Sequence, residues 1–125
     1  MENIIKDLHL RQYEDRDYDT VWELHFEGLK QTGTIVKDRT WDNDLLNIKN
    51  HYLDDRGDFL IVTFNTEIIG IGGLRKINRE TCEIKRMRVK FDYQRKGIGT
   101  FILKTLMDKA WKLDYRRIIL DTSDK

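Results

Sequence analysis

Gln94-Arg95-Lys96-Gly97-Ile98-Gly99 stands between a segment of strand composition ending at Val89 and an amphipathic stretch beginning near Gly97. Glycines let a backbone approach a bulky group closely. A helix starting there aims unpaired N–H groups and the positive end of its dipole at whatever is bound. Arg95 and Lys96 add two cations at the same spot, so a polyphosphate is the natural guest of this turn. A Gly-x-Gly pair alone is a common turn signal. Its context, after a strand and at the start of a helix, is what makes it a cradle.

The preceding segment, Glu80 to Val89, carries apolar residues whose parity changes between Ile84 and Met87. An unbroken strand cannot place both on one face. The spacing predicts a β-bulge near Lys85 and Arg86, which would release backbone groups from the ladder toward a ligand. A parity change of no consequence in an edge strand is the alternative.

Working outward, Leu8 to Tyr13 alternates apolar and polar and predicts a first strand, with Glu14-Asp15-Arg16-Asp17 supplying helix-start chemistry. Tyr18, Val21, Trp22, His25, Phe26 and Leu29 recur at helical spacing, and Gly28, Gly33 and the polar residues between them are expected to end that helix and open a loop. Asp42 is the expected cap of a second helix to about Tyr52, with Leu45, Leu46, Ile48 and Tyr52 as its apolar positions. Phe59 to Phe64 is too continuously apolar for an exposed face and predicts a central strand. Asn65-Thr66 turns the chain back into Glu67 to Leu74 as a hairpin. Gly70, Gly72 and Gly73 weaken that returning strand, which signals close approach of a neighbour.

Asn78-Arg79 reverses the chain into the strand bearing Glu83. The helix from Gly97 to about Leu113 has apolar rows at Ile98, Phe101, Ile102, Leu106 and Ala110 and at Leu103, Met107 and Trp111. Ile118-Ile119-Leu120 reads as a short buried strand, parallel to the one before the helix. The expected fold is α/β, a three-layer α-β-α sandwich in the order βααβββαβ with a mixed, mostly antiparallel sheet.

The chain has 125 residues, 39% of them hydrophobic, which predicts one domain over residues 1–125. With 23 Lys+Arg against 22 Asp+Glu, the net charge of +1 leaves no footprint for nonspecific nucleic-acid binding. Cys82 is the sole cysteine, so an intrachain disulfide and a cysteine-only zinc site are excluded. His9, His25 and His51 lack metal-ligand spacing, and no metal is expected. No apolar run approaches a membrane span. A cytoplasmic protein without membrane or nucleic-acid partners is the expectation.

Glu83-Ile-Lys-Arg-Met-Arg-Val-Lys-Phe-Asp-Tyr-Gln-Arg-Lys-Gly-Ile-Gly99, the following helix and Arg117-Ile-Ile-Leu-Asp-Thr-Ser123 resemble the acetyl-CoA-binding core of the GNAT superfamily of N-acetyltransferases. Its Gln/Arg-x-x-Gly-x-Gly/Ala pattern is present in full, and the likeness extends more loosely from His9 to the last residue. The resemblance implies that backbone groups of Met87, Arg88 and Val89 hold the pantetheine arm and thioester carbonyl of acetyl-CoA. Gln94, Arg95, Lys96, Gly97, Ile98, Gly99 and Thr100 would hold the pyrophosphate. The implied activity is acetyl transfer to a primary amine of a small molecule or peptide by direct attack on the thioester. The family's final helix and strand, with their tyrosine, do not follow Ser123, so the expected fold lacks them. A truncated product, or a second chain supplying them, as in a homodimer, are the readings of that departure.

Acetyl transfer needs a held thioester, a deprotonated amine and donors for the developing oxyanion. The spacing of Glu83 to Gln94 matches the branch of the family with a glutamate base on this strand. A surface carboxylate paired with Lys85 or Arg75 is the competing reading. Cys82 is expected to be a small apolar filler rather than a nucleophile. His25 is expected to pack beside Trp22 and Phe26. Tyr93 is either a ligand contact or a partly exposed loop residue, and Tyr115 is expected to pack where the last helix ends. Thr32, Thr34 and Trp41 lie in the loop that borders the acceptor pocket in relatives. Ser123 would lie near the cofactor cleft. A non-catalytic acyl-CoA-binding or interaction module is the second functional class. A P-loop is excluded, because Lys96 precedes Gly97 and no Gly-Lys-Ser/Thr follows.

Overall fold

A computed structural model describes residues 4–31 and 43–120. Five strands form one sheet in the order β1-β2-β3-β4-β5: His9–Gln12, Asp58–Phe64, Glu67–Lys76, Thr81–Val89 and Arg117–Leu120. The first four pair antiparallel, and β5 runs parallel to β4 after the crossover through α3 (Ile98–Lys112). Helix α1 (Tyr18–Gln31) and the short α2 (Asn43–Leu46) cover the opposite face. The mixed, mostly antiparallel sheet between helical layers is the architecture the sequence predicts.

Local chemistry explains the borders. Glu14 and Asp17 form a reciprocal capping box at the turn leading into α1, and Asp17 also accepts two hydrogen bonds of 2.7 Å from Arg11 of β1. Asn65 and Thr66 take φ of 49° and 70°, the left-handed pair that a two-residue hairpin requires. Tyr115, buried where α3 ends, donates its hydroxyl to the Arg56 carbonyl at 2.9 Å. The Arg56 guanidinium lies 4.3 Å above its ring.

The α3 face is apolar. Ile98, Ile102, Leu106 and Ala110 lie one turn apart and meet Leu60, Val62, Leu74, Cys82 and Ile84. Burying each Ile or Leu is worth roughly 1.5–3 kcal/mol. The β3 glycines admit this contact: a Cβ at Gly70 or Gly72 would lie 2.9 or 2.8 Å from Ile102. Gly73 faces the other way, where a Cβ would meet the Tyr52 ring at 2.6 Å.

Three expectations need correction or narrowing. Gly28 itself lies within α1, whose described residues end at Gln31, inside the span from Gly28 to Gly33 expected to close it; its missing Cβ makes room for Arg88, whose Cδ and Nε would stand 2.6 Å from one. The second helix is not continuous to Tyr52. After Leu46 the chain passes into a π turn over Lys49–Leu53, which buries Leu45, Ile48 and Tyr52 and leaves Leu46 56% exposed beside Trp22 and Phe26. Nor is β5 buried along its length, since Ile119 and Leu120 are nearly half exposed. Gly33, Thr32, Thr34, Trp41, Asp42 and Ser123 lie outside the described residues.

Candidate coenzyme and acetyl-transfer site

The site begins with the bulge in β4. Lys85 pairs with Gly73 and Arg88 with Ile71, so Arg86 and Met87 stand opposite the single residue Gly72. Arg86 takes φ of 61°, a left-handed conformation unusual for a residue with a Cβ. The extra residue resets the pleat: Cys82 and Ile84 before it and Met87 and Val89 after it all face the α3 core. That is the parity change read between Ile84 and Met87, and it comes from a real bulge. The described β4–β5 pairs end at Ile84 and Leu120.

Beyond Val89 the chain makes a short 3₁₀ turn over Phe91–Tyr93 and enters the cradle. Arg95 and Gly97 both adopt left-handed backbone, at φ of 65° and 83°, which curls the loop around the start of α3. Gly97 is the N-cap and contributes no side-chain acceptor. The first intrahelical bond is donated by Phe101 to the Gly97 carbonyl, at 3.0 Å, so the earlier amides at this end have no acceptor within the helix. Val89, Gln94, Arg95, Gly97, Ile98, Gly99 and Thr100 border a concavity of about 370 Å³ together with Tyr93. Among the described residues a Cβ on Gly99 would meet no atom nearer than Val89 Cγ2 at 3.9 Å, so packing among them does not require this glycine.

The cradle is anchored by its own side chains. Gln94 donates Nε2 to the Val89 carbonyl at 3.0 Å. Tyr93 donates to Glu67 at 3.2 Å, and Lys90 is also paired with Glu67. The Phe91 amide donates to Glu27 of α1 at 2.8 Å. Tyr93 packs edge-on against Phe64, so it is a loop anchor half-covered by its neighbours. Lys96 is exposed and Met87 and Arg88 lie on opposite faces of β4.

Glu83 stands on the α1 face, directly opposite Arg75, and accepts its Nε at 2.8 Å; the carboxylate side chain is 15% exposed. Cys82 is fully buried in the α3 core, where burial pushes its thiol above the ordinary range. His25 is buried among Trp22 and Phe26.

One cluster escaped the sequence reading. Arg86 donates Nε and Nη2 to the two carboxylate oxygens of Asp44, at 2.9 and 2.7 Å, and Tyr52 donates its hydroxyl to the same carboxylate. The Arg86 side chain is 3% exposed and that of Asp44 11%. Burial opposes the Asp44 charge, but the hydrogen bonds from Arg86 and Tyr52 prevail and hold its carboxyl below the ordinary range. Burial first, then the neighbouring carboxylate, drive the Tyr52 hydroxyl well above its usual pKa. The available signal was the bulge itself, since a residue added to β4 turns one arginine inward, and a buried guanidinium demands a carboxylate.

The family model described as the acetyltransferase (GNAT) family matches residues 6–125. Probable N-acetyltransferase 14 of Xenopus tropicalis is 37% identical over 82 residues, 64% of this chain and 40% of that protein. N-acetyltransferase 8 of Homo sapiens is 27% identical over 99 residues, 74% of this chain and 44% of that protein. The chain thus spans less than half the length of these curated relatives. A crystal structure of a GNAT-family acetyltransferase from Staphylococcus aureus Mu50 superposes with a TM-score of 0.84 at 25% identity, covering 94% of this chain and 74% of the other. The bulged β4, the glycine cradle and the helix that rises from it, matched across nearly the whole length, place the chain in the GNAT family of acetyltransferases.

Proposed function

We propose that residues 1–125 form one acetyl-CoA-dependent N-acetyltransferase domain whose acceptor is a primary amine of a small molecule or peptide. The observation that carries this reading is the uncapped entrance of α3. Backbone amides, a helix dipole and Arg95 converge on a concavity that no side chain among the described residues fills, and that combination suits a diphosphate. The names of the two curated relatives support nitrogen as the acceptor atom.

In this reading Gly97, Ile98, Gly99 and Thr100 bind the diphosphate through backbone N–H groups, with Gln94, Arg95 and Lys96 completing the cradle. Met87, Arg88 and Val89 offer backbone groups to the pantetheine arm and the thioester carbonyl. The amine nitrogen attacks the carbonyl carbon, the new C–N bond forms as the C–S bond breaks, and the thiolate leaves as the free thiol of coenzyme A after gaining a proton. Glu83 accepts the proton shed by the amine, directly or through a water. Its pairing with Arg75 leaves the second carboxylate oxygen for that task.

Thermal melting tests the cradle. Acetyl-CoA at about 100 times its dissociation constant stabilises by roughly 2.7 kcal/mol, ATP serves as control, and Gly99→Leu abolishes the shift without unfolding the protein. A Gly99→Leu protein that melts higher with acetyl-CoA, as wild type does, would refute the assignment. Glu83→Gln lowers kcat by about 10²-fold or more with unchanged coenzyme affinity; an unaltered rate removes Glu83 from the mechanism. The Arg75–Glu83 pair also favours a second reading, a non-catalytic acyl-CoA-binding module. Release of free thiol with a panel of amines separates the two, because a binding module melts higher with acetyl-CoA yet releases none.

A further inference from the structure

The bulge in β4 is held from outside the strand. Arg86 keeps a left-handed backbone that glycine would adopt freely, at the one point where two β4 residues oppose Gly72. Its guanidinium is buried and bidentate on Asp44, 42 residues earlier in the chain. Asp44 belongs to α2, and Tyr52, from the π turn after it, donates to the same carboxylate and packs against Phe59 of β2. A fork-to-carboxylate pair fixes direction as well as distance. Gly73 completes the arrangement, because the Tyr52 ring occupies the space a Cβ would need.

We infer that Arg86 is a positioning residue for acetyl transfer: through Asp44 and Tyr52 it clamps α2 to the β4 bulge and so fixes the backbone of Met87 to Val89 relative to the α1 face that carries Glu83. This inference rests on the acetyltransferase reading of those residues. The coenzyme's diphosphate is gripped at α3, beyond the bulge, so the clamp governs the alignment of the thioester and leaves the grip on the coenzyme unchanged.

The test uses the full chain in two forms, Arg86→Gly with Asp44→Asn, which keeps the left-handed backbone and removes both charges of the pair together, and Arg86→Lys, which keeps a cation but replaces the rigid fork with a point charge. In the double variant, amide hydrogen exchange at Met87, Arg88 and Val89 rises about tenfold or more over that at Cys82 and Ile84. The acetyl-CoA dissociation constant stays within about threefold, while kcat at saturating coenzyme falls about tenfold or more, as expected of a small misplacement. Arg86→Lys lies between the double variant and wild type in both readouts, and it carries the test alone if the double variant does not fold. Exchange that rises evenly along β4 with kcat of the folded protein unchanged reduces the pair to a structural contact and overturns the inference. Wild-type exchange and kcat in the variants overturn it too. If wild type itself acetylates no amine, the activity reading falls and the positioning role with it, even where exchange shows that the pair holds the bulge.

Discussion

On the α3 face of the sheet, Ile98, Ile102, Leu106 and Ala110 press against Leu60, Val62, Leu74 and Ile84; on the α1 face, Tyr52 is buried with Phe59, Ile61 and Ile71 and shares the Asp44 carboxylate with the buried Arg86. The first face is held by contact area, which is forgiving of direction. The second includes an ion pair whose net worth to stability is small because both partners lose water, but whose rupture is costly. Such a pair specifies where two elements meet more than how strongly they hold. The cradle borders the apolar face, at the start of α3. Glu83 and the Arg86–Asp44 pair share the other face.

The largest effect is expected from breaking the pair on one side. Asp44→Ala takes the bidentate carboxylate away from the buried Arg86 guanidinium and destabilises by about 3–5 kcal/mol in urea titrations, whereas Asp44→Leu with Arg86→Met recovers most of that loss. Equal losses in both variants would show that the charges are not the reason this face tolerates no change. The same pair responds to acid. The folded Asp44 pKa lies below the ordinary 3.8, so its contribution is complete above about pH 4 and is lost as pH falls through the lower folded value. Asp17 behaves alike: burial opposes its charge, but hydrogen bonds from Arg11 and the Glu14 backbone hold its pKa down. Unfolding curves between about pH 5 and 2 should therefore flatten in part, not wholly, in Asp44→Asn.

On the apolar face, Ile102→Ala removes a fully buried side chain and should cost about 2–5 kcal/mol, with the value set by how far α3 settles onto Gly70 and Gly72. A cost well under 1 kcal/mol would mean that the helix is not held by this row. The two cradle glycines split the comparison more finely. Gly97→Ala forces a Cβ into φ of 83° and should lose about 1–2 kcal/mol. Gly99→Ala meets no close atom and should leave stability unchanged or raise it by up to about 1 kcal/mol, while weakening acetyl-CoA binding. The smallest effect belongs to Arg75→Ala, whose own side chain is 36% exposed; chemical denaturation should register no more than about 1 kcal/mol.

Much of the fold was legible because the deciding signals are local. The Asn65-Thr66 turn, the row from Ile98 to Ala110 and the glycines of β3 each have a period or a conformational demand that acts within a few residues. Even the bulge was readable, as the mismatch between Ile84 and Met87. The misreadings arose where spacing alone does not decide packing. Gly28 looks like a helix terminator until Arg88 is found lying across it, and Leu46 looks like core until the π turn shifts the face of its helix. The first outcome depends on a neighbour remote in sequence, the second on a turn that begins three residues on.

Composition and periodicity by themselves determined the layers, the order of strands, the slip in β4 and the glycine-led start of α3, because backbone sterics and apolar spacing operate over one or two turns. Only the tertiary structure decided that Arg86 meets Asp44 and Tyr52, that Glu83 pairs with Arg75, and that Gln94 turns back to Val89. Those choices join segments up to 42 residues apart. Where a buried charge finds its partner is fixed by the path of the whole chain, and no local pattern records it.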